Sequence, residues 1–297
     1  MREKLHDVIV VGGGPAGLTA ALILGRMRRR VLLLDTGAPA NRISKAMHGF
    51  LGQDGVPPAE VRRVAAGQLG AYESVERRPT AAVSARRVAE GFELTLGDGA
   101  VVSARRLLLA YGMRYGLPEV EGASELWGER IFHCPYCHGW EVRDRPIAVY
   151  ATGERAVHQA LLLRSLTDEI VLLAAGMEMA SEDRGRLGAA RVEVVFDPVA
   201  RLAAAEDGLR VEFATGRADL ERYALFIQPA LSPAGDLAPS LGAALTRSGS
   251  VETDEAGEST VPGLYVAGDA AAQVQSVAIA TGGGARAAYA LNAELAI

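Results

Sequence analysis

Residues 8–11, Val-Ile-Val-Val, run directly into Gly12-Gly-Gly14-Pro-Ala-Gly17. A short β-branched run reads as a buried strand, and the glycines that end it mark a tight turn. Residues 18–25 then read as a helix. Residues 31–34 read as a second buried strand that closes on Asp35, eighteen residues past Gly17. Strand, glycine turn, helix and strand make a parallel βαβ unit. Gly12-x-Gly14-x-x-Gly17 is weak by itself, but in this setting it has a mechanism. Gly12 permits the turn, Gly14 lets the backbone approach a pyrophosphate, and Gly17 lets helix and strand pack, while the helix N-terminus faces the phosphate charge. Asp35 stands where a carboxylate would accept ribose hydroxyls.

A second, weaker copy of this unit starts near Pro146. Residues 147–150 read as a strand, Gly153 falls in the turn, residues 156–166 read as a helix and residues 169–173 as the next strand. Short strands with turn signals fill residues 75–110 and 191–226, and residues 106–110 form a strand that runs into Tyr111-Gly112. The last fifty residues change character again. Two nucleotide-type folds, followed by a C-terminal piece with its own motif, predict a discontinuous first domain.

The chain of 297 residues is long enough for two domains with cores. Its net charge of −5 gives no general pull toward nucleic acid or anionic membrane. The basic run from Arg26 to Arg30 reads as a solvated helix end. No apolar stretch approaches the ~20 residues that span a bilayer, and the start shows no signal-peptide pattern, so a cytoplasmic protein is expected. The two cysteines, Cys134 and Cys137, lie three apart. In a reducing compartment such a pair is more often catalytic or metal-binding than a structural staple.

The first glycine turn would suit FAD or NAD. The segment Thr260-Val-Pro-Gly-Leu-Tyr-Val-Ala-Gly-Asp269 resembles the second FAD fingerprint of two-dinucleotide flavoproteins. There a strand ends in Gly-Asp, as at Gly268-Asp269, and the Asp bonds the ribityl chain. The helix that follows begins near Gln275-Ser276-Val277, and in such proteins its positive end points at the flavin pyrimidine ring, which suits an anionic reduced flavin. FAD is therefore the expected cofactor.

His133-Cys-Pro-Tyr-Cys-His138 is the chemical centre. Cys-x-x-Cys-His also matches a c-type haem attachment, but no export signal is seen and a flavin fold is already indicated. A zinc site needs four ligands, and His133, Cys134, Cys137 and His138 are too contiguous to close round one ion comfortably. Glutaredoxin-like proteins carry Cys-Pro-Tyr-Cys after the first strand of a small domain, whereas here it lies between two dinucleotide folds. A redox dithiol that exchanges electrons with the flavin is the reading that remains.

That position, with FAD fingerprints on both sides, resembles the low-molecular-weight thioredoxin reductases over essentially the whole chain. The resemblance implies an α/β protein of two Rossmann-like three-layer domains, the second inserted in the first. Residues 1–113 and 248–297 would bind FAD, and residues 114–247 would form a pyridine-nucleotide-type domain that carries the dithiol. It implies a homodimer, and a domain rotation that shows the dithiol alternately to flavin and substrate. Cys137 takes the place of the cysteine that faces flavin C4a, and Cys134 that of the thiol that exchanges with substrate. The FAD contacts that follow are Gly12, Gly14, Pro15, Ala16, Gly17, Asp35, Asn41, Arg42, His48, Ala110, Gly112, Gly268, Asp269, Gln275, Ser276 and Val277.

Two departures bear on function. Thioredoxin reductases carry an acid after the second cysteine, where this chain has His138, with His133 before Cys134. A histidine can both generate a thiolate and return a proton, and either ring could instead only pack. The run from Phe132 to Glu141 looks most like thioredoxin reductase-like dithiol oxidases of the gliotoxin and holomycin type, and is also similar to atypical bacterial reductases. In the middle domain the family's Gly-x-Gly-x-x-Ala turn becomes Ala151-Thr-Gly153-Glu-Arg-Ala156, and its His-Arg-Arg cluster for the 2′-phosphate becomes Ala174-Ala175-Gly176. A phosphate dianion needs charge-assisted donors; Arg155 is the one cation near the turn. The leading expectation is a dithiol oxidase that passes electrons from a small dithiol through Cys134 and Cys137 to FAD and on to O₂ or another acceptor. The alternatives are a thioredoxin reductase acting on a thioredoxin-like protein, and a flavin-binding redox sensor. Trp127, Tyr136 and Trp140 either line a site for an aromatic dithiol or simply pack.

Overall fold

The computed structural model describes residues 5–151 and 154–297, with the side chain of Glu154 left aside. The turn expected at Gly153 therefore lies outside the described residues. The chain divides into two units, Met1–Arg114 with Leu231–Ile297, and Tyr115–Ala230.

The first unit opens with β1 (His6–Val11), α1 (Pro15–Arg26), β2 (Val31–Leu34), α2 (Pro58–Leu69) and β3 (Val75–Arg78). Then come β4 (Ala82–Val88), β5 (Gly91–Leu96) and β6 (Val101–Leu109). β1, β2 and β3 are parallel neighbours, and β1 pairs β6 on its other side. Both faces of β1 and β2 are covered, which is why residues 8–11 and 31–34 read as unbroken apolar runs instead of alternating ones. Val8 and Val10 face the cluster with Leu18, Ala21 and Leu24 of α1, while Ile9 and Val11 face Phe92, Leu94 and Leu96 of β5.

The strand β7 (Met113–Gly116) leads into the second unit and β16 (Ala230–Pro233) leads out, and the two pair as a ribbon. Between them lie α3 (Ala123–Leu126), β8 (Ile131–Phe132), α4 (Pro135–His138), β9 (Ile147–Tyr150), α5 (Glu154–Leu163), β10 (Ile170–Leu173), α6 (Ser181–Ala189) and β11 (Glu193–Val195). β12 (Val199–Ala205), β13 (Gly208–Phe213), β14 (Leu220–Arg222) and β15 (Ala224–Ile227) follow. The sheet runs β11-β10-β9-β15-β8, parallel throughout, and β12-β13-β14 form an antiparallel sheet. α5 and α6 supply Ala156, Ala160, Leu163 and Leu187 to one core of this unit. The antiparallel strands supply Leu202, Leu209 and Val211 to the other.

After β16 come α7 (Leu237–Ser240), β17 (Leu264–Val266) and α8 (Val277–Glu294). β17 completes the first sheet by pairing in parallel with Leu107–Leu109 of β6, beyond the stretch of β6 that pairs antiparallel with β5. α8 crosses α1 closely: a Cβ on Gly284 would stand 2.1 Å from the Ala16 carbonyl oxygen. The chain is thus α/β, with two three-layer Rossmann-like folds. Its return to the first unit falls at Leu231, not at 248 as the resemblance implied. The physical reason is burial: Leu237, Ala238 and Ala243 belong to the core behind β1 and β6, so residues 231–247 side with the first unit. Among the described residues no helix is long and apolar enough to cross a membrane.

Candidate active site

The first unit gathers four predicted segments. Gly12 adopts φ 110, and a Cβ there would meet the Ala110 carbonyl oxygen at 2.3 Å, which places the end of β6 against the glycine turn. A Cβ on Gly17 would lie 1.9 Å from the Gly12 carbonyl oxygen. Pro15 opens α1, whose N-cap Gly14 supplies no side-chain acceptor and whose first turn holds no acid. The N–H groups there are left for a ligand. Gly268, at φ 75, would bring a Cβ to 3.0 Å from Ala16 Cβ, so the C-terminal fingerprint adjoins the same turn. Gly112 lies in the left-handed region at φ 76.

A dinucleotide fits this arrangement. A Cβ on Gly14 would meet no protein atom within 4 Å, which leaves room where the pyrophosphate belongs. Asp269 is half-buried, and desolvation alone pushes its carboxyl up to about 6. A carboxylate so placed is relieved by a hydroxyl that donates to it, as a ribityl chain would. Ser276 caps α8 by accepting from the Ile279 N–H at 3.1 Å, with Gln275 just before it and Val277 as first helical residue. The other predicted contacts lie after β2. Asn41 and Arg42 are in a 3₁₀ turn, where Arg42 Nη1 donates to the Pro39 carbonyl at 3.3 Å. His48 Nδ1 stands 3.5 Å from Asp54 Oδ2.

Asp35, expected to accept ribose hydroxyls, also has donors from the protein itself. The Gly37 N–H donates to Oδ1 at 2.9 Å and Arg62 Nη2 to Oδ2 at 2.8 Å. The side chain leans over Gly13, where a Cβ would lie 2.2 Å from Asp35 Cγ, so the middle glycine of the turn is constrained as well. Arg62 also donates from Nε to the Gly13 carbonyl at 3.4 Å and from Nη1 to the Gly37 carbonyl at 3.3 Å. Sequence reading missed Arg62; nothing in its neighbourhood on α2 marks it.

In the second unit Cys134 and Cys137 form a disulfide. Pro135 starts the single turn of α4 between them, and the Cys137 and His138 N–H groups both donate to the Cys134 carbonyl, at 3.1 and 3.2 Å. The two flanking histidines differ. The His133 ring lies 4.7 Å from Tyr115 and 5.6 Å from Trp127, centroid to centroid, inside an aromatic triad. Desolvation, with the nearby His138 second, lowers its pKa to about 4, so it is neutral at physiological pH. His138 stacks on Phe132 at 4.4 Å with an interplanar angle of 15°. Tyr136 and Trp140 are 78% and 66% exposed, so neither is a core residue. Trp127 belongs instead to the packed aromatic set. Arg143 lies over the Trp140 ring at 4.0 Å.

The family model for pyridine nucleotide-disulphide oxidoreductases matches residues 6–284. An Arthroderma benhamiae protein described as a probable thioredoxin reductase is 34% identical over 187 residues, 61% of this chain and 46% of that protein. Thioredoxin reductase tcpT of Claviceps purpurea is 30% identical over 288 residues, 93% of this chain and 89% of that one. The crystal structure of HlmI superposes with a TM-score of 0.94 at 37% identity, over 100% of this chain and 94% of that one. The chain belongs to the pyridine nucleotide-disulphide oxidoreductase family and is a thioredoxin reductase-like, FAD-dependent disulfide oxidoreductase.

Proposed function

We propose that this enzyme is a dithiol oxidase acting on a small-molecule dithiol through Cys134 and Cys137. The observation that carries the reading is the end of β10. Ala174 is fully buried there and its N–H donates to the Val195 carbonyl at 2.7 Å. The chain then turns through Gly176 at φ 68, and Met177 and Met179 fold back against the core. Thioredoxin reductases carry their 2′-phosphate cations at this place. With two charged hydrogen bonds missing at ~1.5–3 kcal/mol each, NADPH should bind about two orders of magnitude more weakly or worse.

In the proposed cycle a substrate thiolate attacks Cys134 Sγ and Cys137 leaves as a thiolate. The second substrate thiol then displaces Cys134, so the substrate departs as a disulfide and the enzyme holds two electrons and two protons more. His138, beside the couple, carries one of these protons. FAD, held by the glycine turn of residues 12–17 and the Gly268-Asp269 segment, would supply the two-electron acceptor for this pair, with O₂ or another acceptor as the final oxidant. The names of the fungal relatives favour a second reading, a thioredoxin reductase that acts on a thioredoxin-like protein. We place the enzyme in the cytoplasm as a homodimer, which fractionation and sedimentation would check.

The deciding experiment mixes the holoenzyme anaerobically with dithiothreitol, NADPH or NADH and follows the flavin absorbance. Dithiothreitol should bleach it, and air should restore it with release of hydrogen peroxide. Rapid stoichiometric bleaching by micromolar NADPH would instead support the reductase.

A further inference from the structure

α5 packs against the redox segment, and its inward positions Ala156, Val157, Ala160 and Leu163 are apolar. Gln159 shares that inward face and is only 5% exposed. An amide in such a place costs free energy unless both its ends are bonded, and a leucine or methionine would fill the same volume without that cost. Half of the amide is satisfied: Nε2 donates to the His133 carbonyl oxygen at 3.1 Å. Oε1 is buried and has no donor among the described residues. The carbonyl that Nε2 holds belongs to the peptide joining His133 to Cys134, so the spare acceptor lies at the Cys134 end of the couple.

The disulfide has no S–H to offer. When the substrate dithiol is oxidised, the Cys134–Cys137 bond takes two electrons and two protons, and a thiol hydrogen appears at this end for the first time. We propose that Gln159 is a positioning residue of the redox couple, whose Oε1 accepts the thiol hydrogen of Cys134 once the disulfide opens. The acceptor then favours the reduced state and keeps Cys134 protonated, which leaves Cys137 as the thiolate. The inference rests on the reading of Cys134 and Cys137 as the redox couple.

The test uses the holoenzyme and Gln159→Met, which keeps the volume and removes both polar ends. Equilibration with oxidised and reduced dithiothreitol should show the disulfide of Q159M about tenfold harder to reduce, which is about 30 mV for this two-electron couple. Alkylation of Cys134 by iodoacetamide in the reduced protein should become faster near neutral pH, because more of it is thiolate. An equilibrium within twofold of wild type, at equal FAD content and melting temperature, would overturn the proposal. So that the outcome does not hang on one variant, the reduced wild type is also examined by infrared spectroscopy. An S–H stretch at the hydrogen-bonded position supports the contact, and only unbonded S–H bands refute it. Failure of the underlying redox reading is distinguishable: the wild-type disulfide would then open in dithiothreitol without bleaching the flavin.

Discussion

Removing the carboxylate of Asp269 should act on the apoprotein and on FAD binding in opposite directions. Desolvation raises its pKa from 3.8 to about 6, a shift worth about 3 kcal/mol against the charged form. Because the folded-state value lies above the unfolded one, the linked stability is complete below about pH 4 and is lost as pH rises through about 6. Apoprotein carrying Asp269→Asn should therefore be more stable than wild type at pH 7, by up to about 3 kcal/mol. The same substitution replaces a charge-assisted hydrogen bond to the ribityl chain by a neutral one, a loss of about 1 kcal/mol or five- to tenfold in affinity. Asp269→Ala removes the acceptor altogether and should cost about ten- to a hundredfold. Wild-type affinity should itself fall as pH drops below about 6, since FAD binds the ionised carboxylate, and this dependence should be absent in both variants. Titrating apoprotein with FAD by fluorescence quenching from pH 5 to 8, alongside thermal unfolding, measures all of this. A wild-type affinity that is flat across that range and equal in Asp269→Ala would refute the assignment.

Arg62→Met should weaken FAD binding about tenfold or more by freeing Asp35 and the Gly13 carbonyl, whereas Arg62→Lys should recover only part, since lysine cannot serve three acceptors in a fixed fork; equal FAD affinities would remove Arg62 from the site. Cys134→Ser should leave a Cys137 thiolate beside oxidised flavin with a long-wavelength charge-transfer band, and Cys137→Ser should block transfer between dithiol and flavin. The band appearing in the latter instead would reverse the two roles. His138→Ala should slow thiol oxidation by about two to four orders of magnitude, while His133→Phe should leave the pH–rate profile between pH 6 and 8 in place; an unchanged rate in the first would hand the proton to another carrier.

The architecture was legible because its signals are local. A β-branched run into Gly12-x-Gly14-x-x-Gly17 admits few continuations, and Gly268-Asp269 after a strand admits few more. The return boundary was less so. Residues 231–247 carry no motif, and only the burial of Leu237, Ala238 and Ala243 assigns them. Arg62 was illegible for a related reason. Its three acceptors are two carbonyls and a carboxylate spread over residues 13–37, and carbonyl acceptors leave no mark in a sequence. Gln159 looked like an ordinary helical residue until its inward position and its bond to the His133 carbonyl were visible.

The two histidines show the same limit in chemical form. By sequence they are near mirror images about the dithiol, each adjacent to a cysteine, and each is a candidate proton carrier. The structure separates them by what surrounds the rings. Tyr115 and Trp127 close on His133, and desolvation takes its pKa to about 4. A base that binds its proton only below about pH 4 is neutral across the working range and is a poor match for a thiol. Its protonation is also linked to folding: the unfolded chain binds the proton first, so stability falls as pH drops from about 6.5 toward 4. His133 thus acts as a wall of an aromatic cluster whose backbone carbonyl anchors Gln159. His138 instead stacks on Phe132. It shares the α4 turn with Cys137, and its N–H and that of Cys137 converge on the Cys134 carbonyl. The proposed cycle therefore gives the proton-carrying role to His138, the residue that stands where the reductases place an acid.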